Sequence, residues 1–189
     1  NYKSAITLYE ACIEEYPEKA APYYQLGIIY SRLNDFQKAV YFSDRACKLD
    51  TVNEWYKINL ANIYQYLGRN DSAIILYENL IKGRDDDEMK YNLALLYTQN
   101  GKNQQALDLL NTVSDINRDS HEVILLKHNV FHGMRNYDSA VISLEDLISV
   151  FPEDINNYGI LAEYLTEIGR VNYAKRVYTE MLRNDSLNG

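Results

Sequence analysis

The sequence predicts an all-α fold of stacked antiparallel helix pairs, and three observations carry that prediction. Alanine recurs at Ala5, Ala39, Ala73, Ala106, Ala140 and Ala174, with steps of 34, 34, 33, 34 and 34 residues. A fixed period of this length is one helix-turn-helix unit repeated, each unit too small to bury its own apolar face. A second small residue stands in the helix before most of these alanines, at Gly27, Ala61, Ala94 and Ala162. Small side chains on both helices let the axes approach closely while larger neighbours interlock around the contact. Breakers fall between the two: Asn34-Asp35, Gly68-Arg69-Asn70, Asn100-Gly101-Lys102 and Gly169-Arg170.

Taken in order, the apolar spacing predicts helices near 2–16, 20–33, 36–49, 53–67, 70–82, 87–100, 103–114, 120–133, 137–150, 154–168 and 171–184. Pro17 and Pro152 close units after their second helices. Pro22 falls in the first turn of its helix, where the missing N–H costs nothing. Asp85-Asp86-Asp87-Glu88, the one charge run, precedes a helix and complements the positive end of its dipole. The period runs unbroken, so residues 1–189 are expected to form one array. Its units fall near 1–19 (a second helix alone), 20–52, 53–86, 87–119, 120–153 and 154–187. The first residue is Asn1, inside a unit, which suggests a fragment of a longer protein.

At these residues the chain resembles the tetratricopeptide repeat (TPR) family. Its pattern is a bulky residue, Leu-Gly or Leu-Ala, Tyr, Gly, a small residue, an aromatic and often Pro. The first full unit carries Tyr23, Leu26-Gly27, Tyr30, Phe36, Ala39 and Ala46. The second carries Leu60-Ala61, Tyr64, Gly68, Ala73 and Tyr77, and the third Leu93-Ala94, Tyr97, Gly101, Ala106 and Leu110. The last carries Tyr158, Leu161-Ala162, Leu165, Gly169, Ala174 and Tyr178. The fourth departs, with Lys127-His128 in place of Leu-Ala, although Phe131, Tyr137, Ala140, Leu144 and Pro152 fit. The resemblance implies a right-handed α-solenoid of about five and a half units and a non-enzymatic protein-interaction scaffold.

Composition is that of a globular chain, with 47% apolar and 24% charged residues. The net charge of −8 argues against nucleic acid, whose non-specific affinity comes from Lys and Arg on phosphates, and against anionic membranes. It favours a basic or neutral partner. No run of about 18 apolar residues is present, so direct membrane insertion is not expected. Nothing in the sequence assigns a compartment. Cys12 and Cys47 stand about one repeat apart and are expected to be buried small hydrophobes rather than a disulfide or metal pair.

The candidate chemistry is sparse. The three histidines, His121, His128 and His132, share one helix. His128 and His132 have metal-ligand spacing, yet no Cys or carboxylate completes a set, and His128 sits in the small-residue slot, where it is expected to pack or bond to backbone. No nucleophile elbow, P-loop or Gly-rich dinucleotide loop occurs, so neither a cofactor nor an enzymatic role is expected.

In the family's solenoid the first helix of each pair lines the concave face. The resemblance places Tyr24, Ile28, Trp55, Ile58, Asn62, Tyr66, Tyr91, Asn92, Leu95, Leu125 and Asn129 there. The apolar members would make an aromatic stripe over the first three units, the kind of surface that anchors a peptide or helix of a partner. Glu163 and Glu167 would make the far end acidic. The family's carboxylate clamp uses Lys, Arg and Asn. Two Asn match here, Asn62 and Asn92, but Ile58, Glu122 and Leu126 replace the cations, so that clamp is not expected. The alternative reading is a homo-oligomeric or structural module of a larger sensor or envelope-assembly protein. In that reading a homodimer forms through a terminal repeat, since the last helix carries no polar capping helix after it.

Overall fold

The computed structural model describes residues 1–113, 117 and 119–188, with side chains through Arg183. Among them all regular structure is helical, in eleven helices. These are α1 (Tyr2–Glu15), α2 (Ala20–Arg32), α3 (Phe36–Leu49), α4 (Glu54–Tyr66), α5 (Asn70–Leu80) and α6 (Asp87–Gln99). They continue with α7 (Asn103–Leu110), α8 (His121–Gly133), α9 (Tyr137–Val150), α10 (Ile155–Glu167) and α11 (Val171–Asn188).

Three ends differ from the sequence expectation. The helix expected over 103–114 stops at Leu110, where the Thr112 hydroxyl and N–H both bond back to the Leu109 carbonyl at 2.7 and 2.9 Å. These bonds tighten the last turn and end the helix. Residue 114 lies outside the described residues. The helix expected to reach 82 stops at Leu80, ahead of the left-handed Gly83. The last helix runs past 184 to Asn188.

Most starts are capped by short polar side chains, as helix N-termini require. Asp35 accepts from the Lys38 N–H at 3.2 Å, Asn53 from Trp55 at 3.1 Å and Ser120 from Val123 at 3.3 Å. Within the charge run, Asp86 accepts from the Met89 N–H at 3.0 Å, so that acid serves the start of α6.

The chain forms two compact units, residues 1–89 and 90–189. In the first, α2 pairs with α3 and α4 with α5, and α3 and α4 join the pairs. In the second, α8 pairs with α9 and α10 with α11, joined through α9 and α10, and α7 lies against α8. The small-residue slots are where the helices cross. Ala39, Ala61, Ala73, Ala94, Ala106, Ala140 and Ala162 have no exposed surface, and Ala174 is equally buried at 2%. Gly27 is the tightest: a Cβ there would sit 2.2 Å from the Ser43 Oγ and 3.2 Å from the Ser43 backbone nitrogen. Ser43 is fully buried, and its hydroxyl accepts from the Asn59 side-chain amide at 2.9 Å.

The burial expected of the two cysteines fails. Cys12 is exposed, because α1 packs mainly on α2 and buries no residue completely, and Ala5 on the same helix is only half-buried. Cys47 is also half-buried rather than core, although burial still pushes its thiol up to about 11, with Asp44 adding to the effect.

The turn inside each pair repeats as faithfully as the helices. A residue with φ between 58° and 79° stands at Asn34, Gly68, Gly101, Arg135 and Gly169, one period apart. Glycine adopts this conformation freely, Asn tolerates it, and a long side chain such as arginine is strained there. Replacing Arg135 with glycine should therefore stabilise the protein by about 1 kcal/mol, read as a raised midpoint in urea unfolding. An unchanged or lowered midpoint would show that the αL strain at Arg135 is offset elsewhere.

Candidate functional site

The eleven residues assigned to the groove divide between the two units. In the first unit, α4 presents Trp55, Ile58, Asn62 and Tyr66 at intervals of three and four residues, which places them on one helical face. Trp55 and Tyr66 are 70% and 71% exposed, and Asn62 is exposed between them. Ile58 is half-buried, as are Tyr24 and Ile28 on α2.

The aromatic members are held in place. Tyr24 packs on Tyr56 with ring centroids 4.8 Å apart, and Tyr66 stacks on Phe36 at 4.5 Å. Both therefore join helix pairs as well as offering surface. The Tyr77 hydroxyl donates to the Asn62 side-chain carbonyl at 3.1 Å, which fixes the amide and leaves its NH₂ as the outward donor. Burial, with the Glu88 carboxylate second, keeps that phenol above its ordinary pKa and hence a donor. Tyr77, Tyr56 and Phe36 support the face without lying on it. Sequence periodicity marks Phe36 and Tyr77 only as packing residues.

In the second unit, Tyr91, Asn92, Leu95 and Leu125 are half-buried, and Asn129 is exposed. Burial and the neighbouring Glu122 raise the Tyr91 phenol above its usual range. The five residues make no exposed aromatic pair comparable with Trp55 and Tyr66. Leu126 bears on the clamp comparison: it is 3% exposed, a core residue rather than a groove residue, while Glu122 is exposed.

The histidines are engaged with the fold. His128 occupies the slot that is glycine or alanine elsewhere, and its Nδ1 lies 3.0 Å from the Ala140 carbonyl, so this nitrogen carries the proton. Its ring meets Tyr164 edge-on at 4.5 Å. His132 Nδ1 lies 3.2 Å from the Tyr164 hydroxyl. His121 Nε2 donates to the Asn157 carbonyl oxygen at 3.1 Å, since the Asn157 amide nitrogen donates to the Phe151 carbonyl. Asn157 is fully buried, so this network satisfies a polar group that would otherwise be costly. Among the described residues, no three His, Cys, Asp or Glu side chains are grouped as metal ligands.

Pairs of antiparallel helices with small residues at their crossings and an αL turn at a fixed period define the helical-repeat class of proteins. Tetratricopeptide repeat models match residues 8–41 and 58–120. The chain is a tetratricopeptide repeat protein. Over 83 residues it is 32% identical to anaphase-promoting complex subunit 3 of Schizosaccharomyces pombe, covering 43% of this chain and 12% of that protein. It spans between 12% and 36% of the length of the curated relatives it matches. Among solved structures, a tetratricopeptide repeat protein from Parabacteroides merdae superposes with a TM-score of 0.76 at 24% identity, over 97% of this chain and 73% of that one. YrrB, a TPR protein with an unusual peptide-binding site, gives 0.67 at 18% identity, over 93% and 91%. At these identities the likeness is one of fold.

Burial lowers the His128 pKa from its ordinary value, outweighing the Ala140 carbonyl bond that favours the charged ring, and the nearby His132 adds to the lowering. The unfolded chain then binds more protons between the depressed value and about 6.5, so stability falls as pH drops through that window. His128→Gln should lose less stability than the parent between pH 7.5 and pH 5, measured by urea unfolding at each pH. An identical loss in both would remove His128 as the source.

Proposed function

We propose that this chain is a non-enzymatic protein-interaction scaffold that binds an extended or helical peptide of a partner on the first-helix face. The observation that carries the reading is the pair Trp55 and Tyr66, large aromatics left about seven-tenths exposed at either end of one helical face. Eleven residues of helix separate them by about 16 Å, the span of roughly five extended residues. Rigid aromatics lose little entropy on binding and are typical anchors. The outward NH₂ of Asn62 between them suits a backbone carbonyl of the bound segment. Membership of the TPR family and the peptide-binding site of the similar YrrB support the same conclusion.

Self-association is the second reading, favoured by Tyr178 and Leu182 of α11, four residues apart and 40% and 64% exposed.

Trp55 is the single tryptophan, so its fluorescence reports the site directly. Affinity capture with the whole chain as bait, followed by mass spectrometry, should yield partners that are lost from bait carrying Trp55→Ala and Tyr66→Ala, with the helical circular dichroism unchanged. A captured partner should shift Trp55 emission to the blue. Partners retained by the double variant would reject the face. Dimers seen by sedimentation that vanish with Leu182→Ala would support the second reading.

A further inference from the structure

Two cavities on the second-helix side of the second unit are unaccounted for by the groove. One, of about 290 Å³, has an apolar floor of Ile148, Tyr158, Leu161 and Val177. Glu145, Glu180, Tyr173 and Arg176 complete its lining. The other, of about 300 Å³, is lined by Ile124 and Val150, by Ser143 and Ser149, and by Asp119, Asp146 and Lys127. The two are the same place in consecutive repeats. Tyr158 and Ile124, Val177 and Ser143, and Glu180 and Asp146 each differ by 34 positions. Leu161 and Lys127, which line the two cavities, are also 34 apart. Lys127 is two residues from Leu125, about 200° around α8, so this face points away from the proposed groove.

The same register position holds a carboxylate in both cavities. Neither Glu180 nor Asp146 makes a hydrogen bond or ion pair among the described residues, and Asp119 makes none either. Other groups in the first cavity are already matched: Tyr173 donates its hydroxyl to Glu145, and the Arg176 guanidinium lies over the Tyr173 ring at 4.8 Å. Around Asp146, burial, Glu145 and Asp119 disfavour the ionised form more than Lys127 supports it, so negative charge there is under-compensated. Each cavity holds one cation, Arg176 in the first and Lys127 in the second, against two carboxylates, so each keeps a net negative charge. Apolar lining beside such a carboxylate fits an aliphatic stem that ends in a cation. Equivalent sites in adjacent repeats lie on the order of 10 Å apart, one helix-to-helix step. That is about three residues of an extended chain.

We infer that this face docks a basic segment of a partner protein, with lysine or arginine side chains three residues apart entering the two cavities. The inference does not depend on the groove reading. It is tested by NMR on the isotope-labelled full chain. The probe is an acetylated, amidated heptapeptide with lysine at its first, fourth and seventh positions and alanine elsewhere. Amide shifts are expected at Ile148 and Val177 and at Ile124 and Ser143, and a peptide with glutamate in place of lysine should cause none. Asp146→Asn combined with Glu180→Gln should weaken the lysine peptide by about tenfold, as removal of two exposed charge contacts predicts, with thermal unfolding unchanged. Trp55→Ala should have no effect. The inference is overturned by an absence of shifts at millimolar peptide, by equal binding to the double variant, or by shifts confined to α2 and α4. The last result would leave the groove reading intact.

Discussion

Everything in this structure depends on how closely the two helices of a pair can cross. Close crossing needs side chains no larger than a methyl at the point of contact, and those positions are fully buried in nearly every pair. At Gly27 even a methyl is too large, since the Ser43 side chain fills the space. Once the helices are that near, the larger residues on either side interlock at interior packing density, and each pair offers the next a shaped apolar surface. The αL residue in each turn then aims the returning helix.

Where the rule is broken, polar chemistry takes its place. His128 stands in a slot that is otherwise glycine or alanine, and it fits by bonding the Ala140 carbonyl across the crossing and turning its ring edge to Tyr164. At the Gly27 crossing, Asn59 supplies the bond to Ser43 where other repeats place a bulky residue. Lys90 is another such case: it is 6% exposed and reaches the Thr112 carbonyl at 2.8 Å, which ties α6 to the stretch after α7. Each of these polar groups is satisfied, and an unsatisfied one at such depth would cost more than the packing returns.

The architecture was legible because repetition multiplies a weak local signal. One alanine means little, but six in phase fix helix type, pairing and turn position together. The helix ends at Leu110, Leu80 and Asn188 differ from the periodic pattern because ends depend on local bonds such as those of Thr112, which periodicity does not encode. The candidate face was legible in part. Spacing along a helix identifies Trp55, Asn62 and Tyr66 as neighbours, and in the structure all three are exposed. Spacing does not show that Phe36 and Tyr77, from other helices, hold two of them in place, because those contacts cross between elements. The burial expected of Cys12 failed for a related reason: period assigns a face to a residue but does not say whether another helix covers it. The acidic cavities were invisible in sequence for the same reason, since their residues come from separate helices.

The fold therefore depends on the crossing itself. The most direct measurement is the unfolding free energy of Gly27→Ala. Helix propensity alone makes this change stabilising by about 1 kcal/mol. Close crossing makes it destabilising by roughly 1–3 kcal/mol, because the new methyl displaces the Ser43 hydroxyl from Asn59 and presses on the backbone. A loss of stability is the predicted result. A gain would mean that the paired helices do not approach as closely as the fold requires.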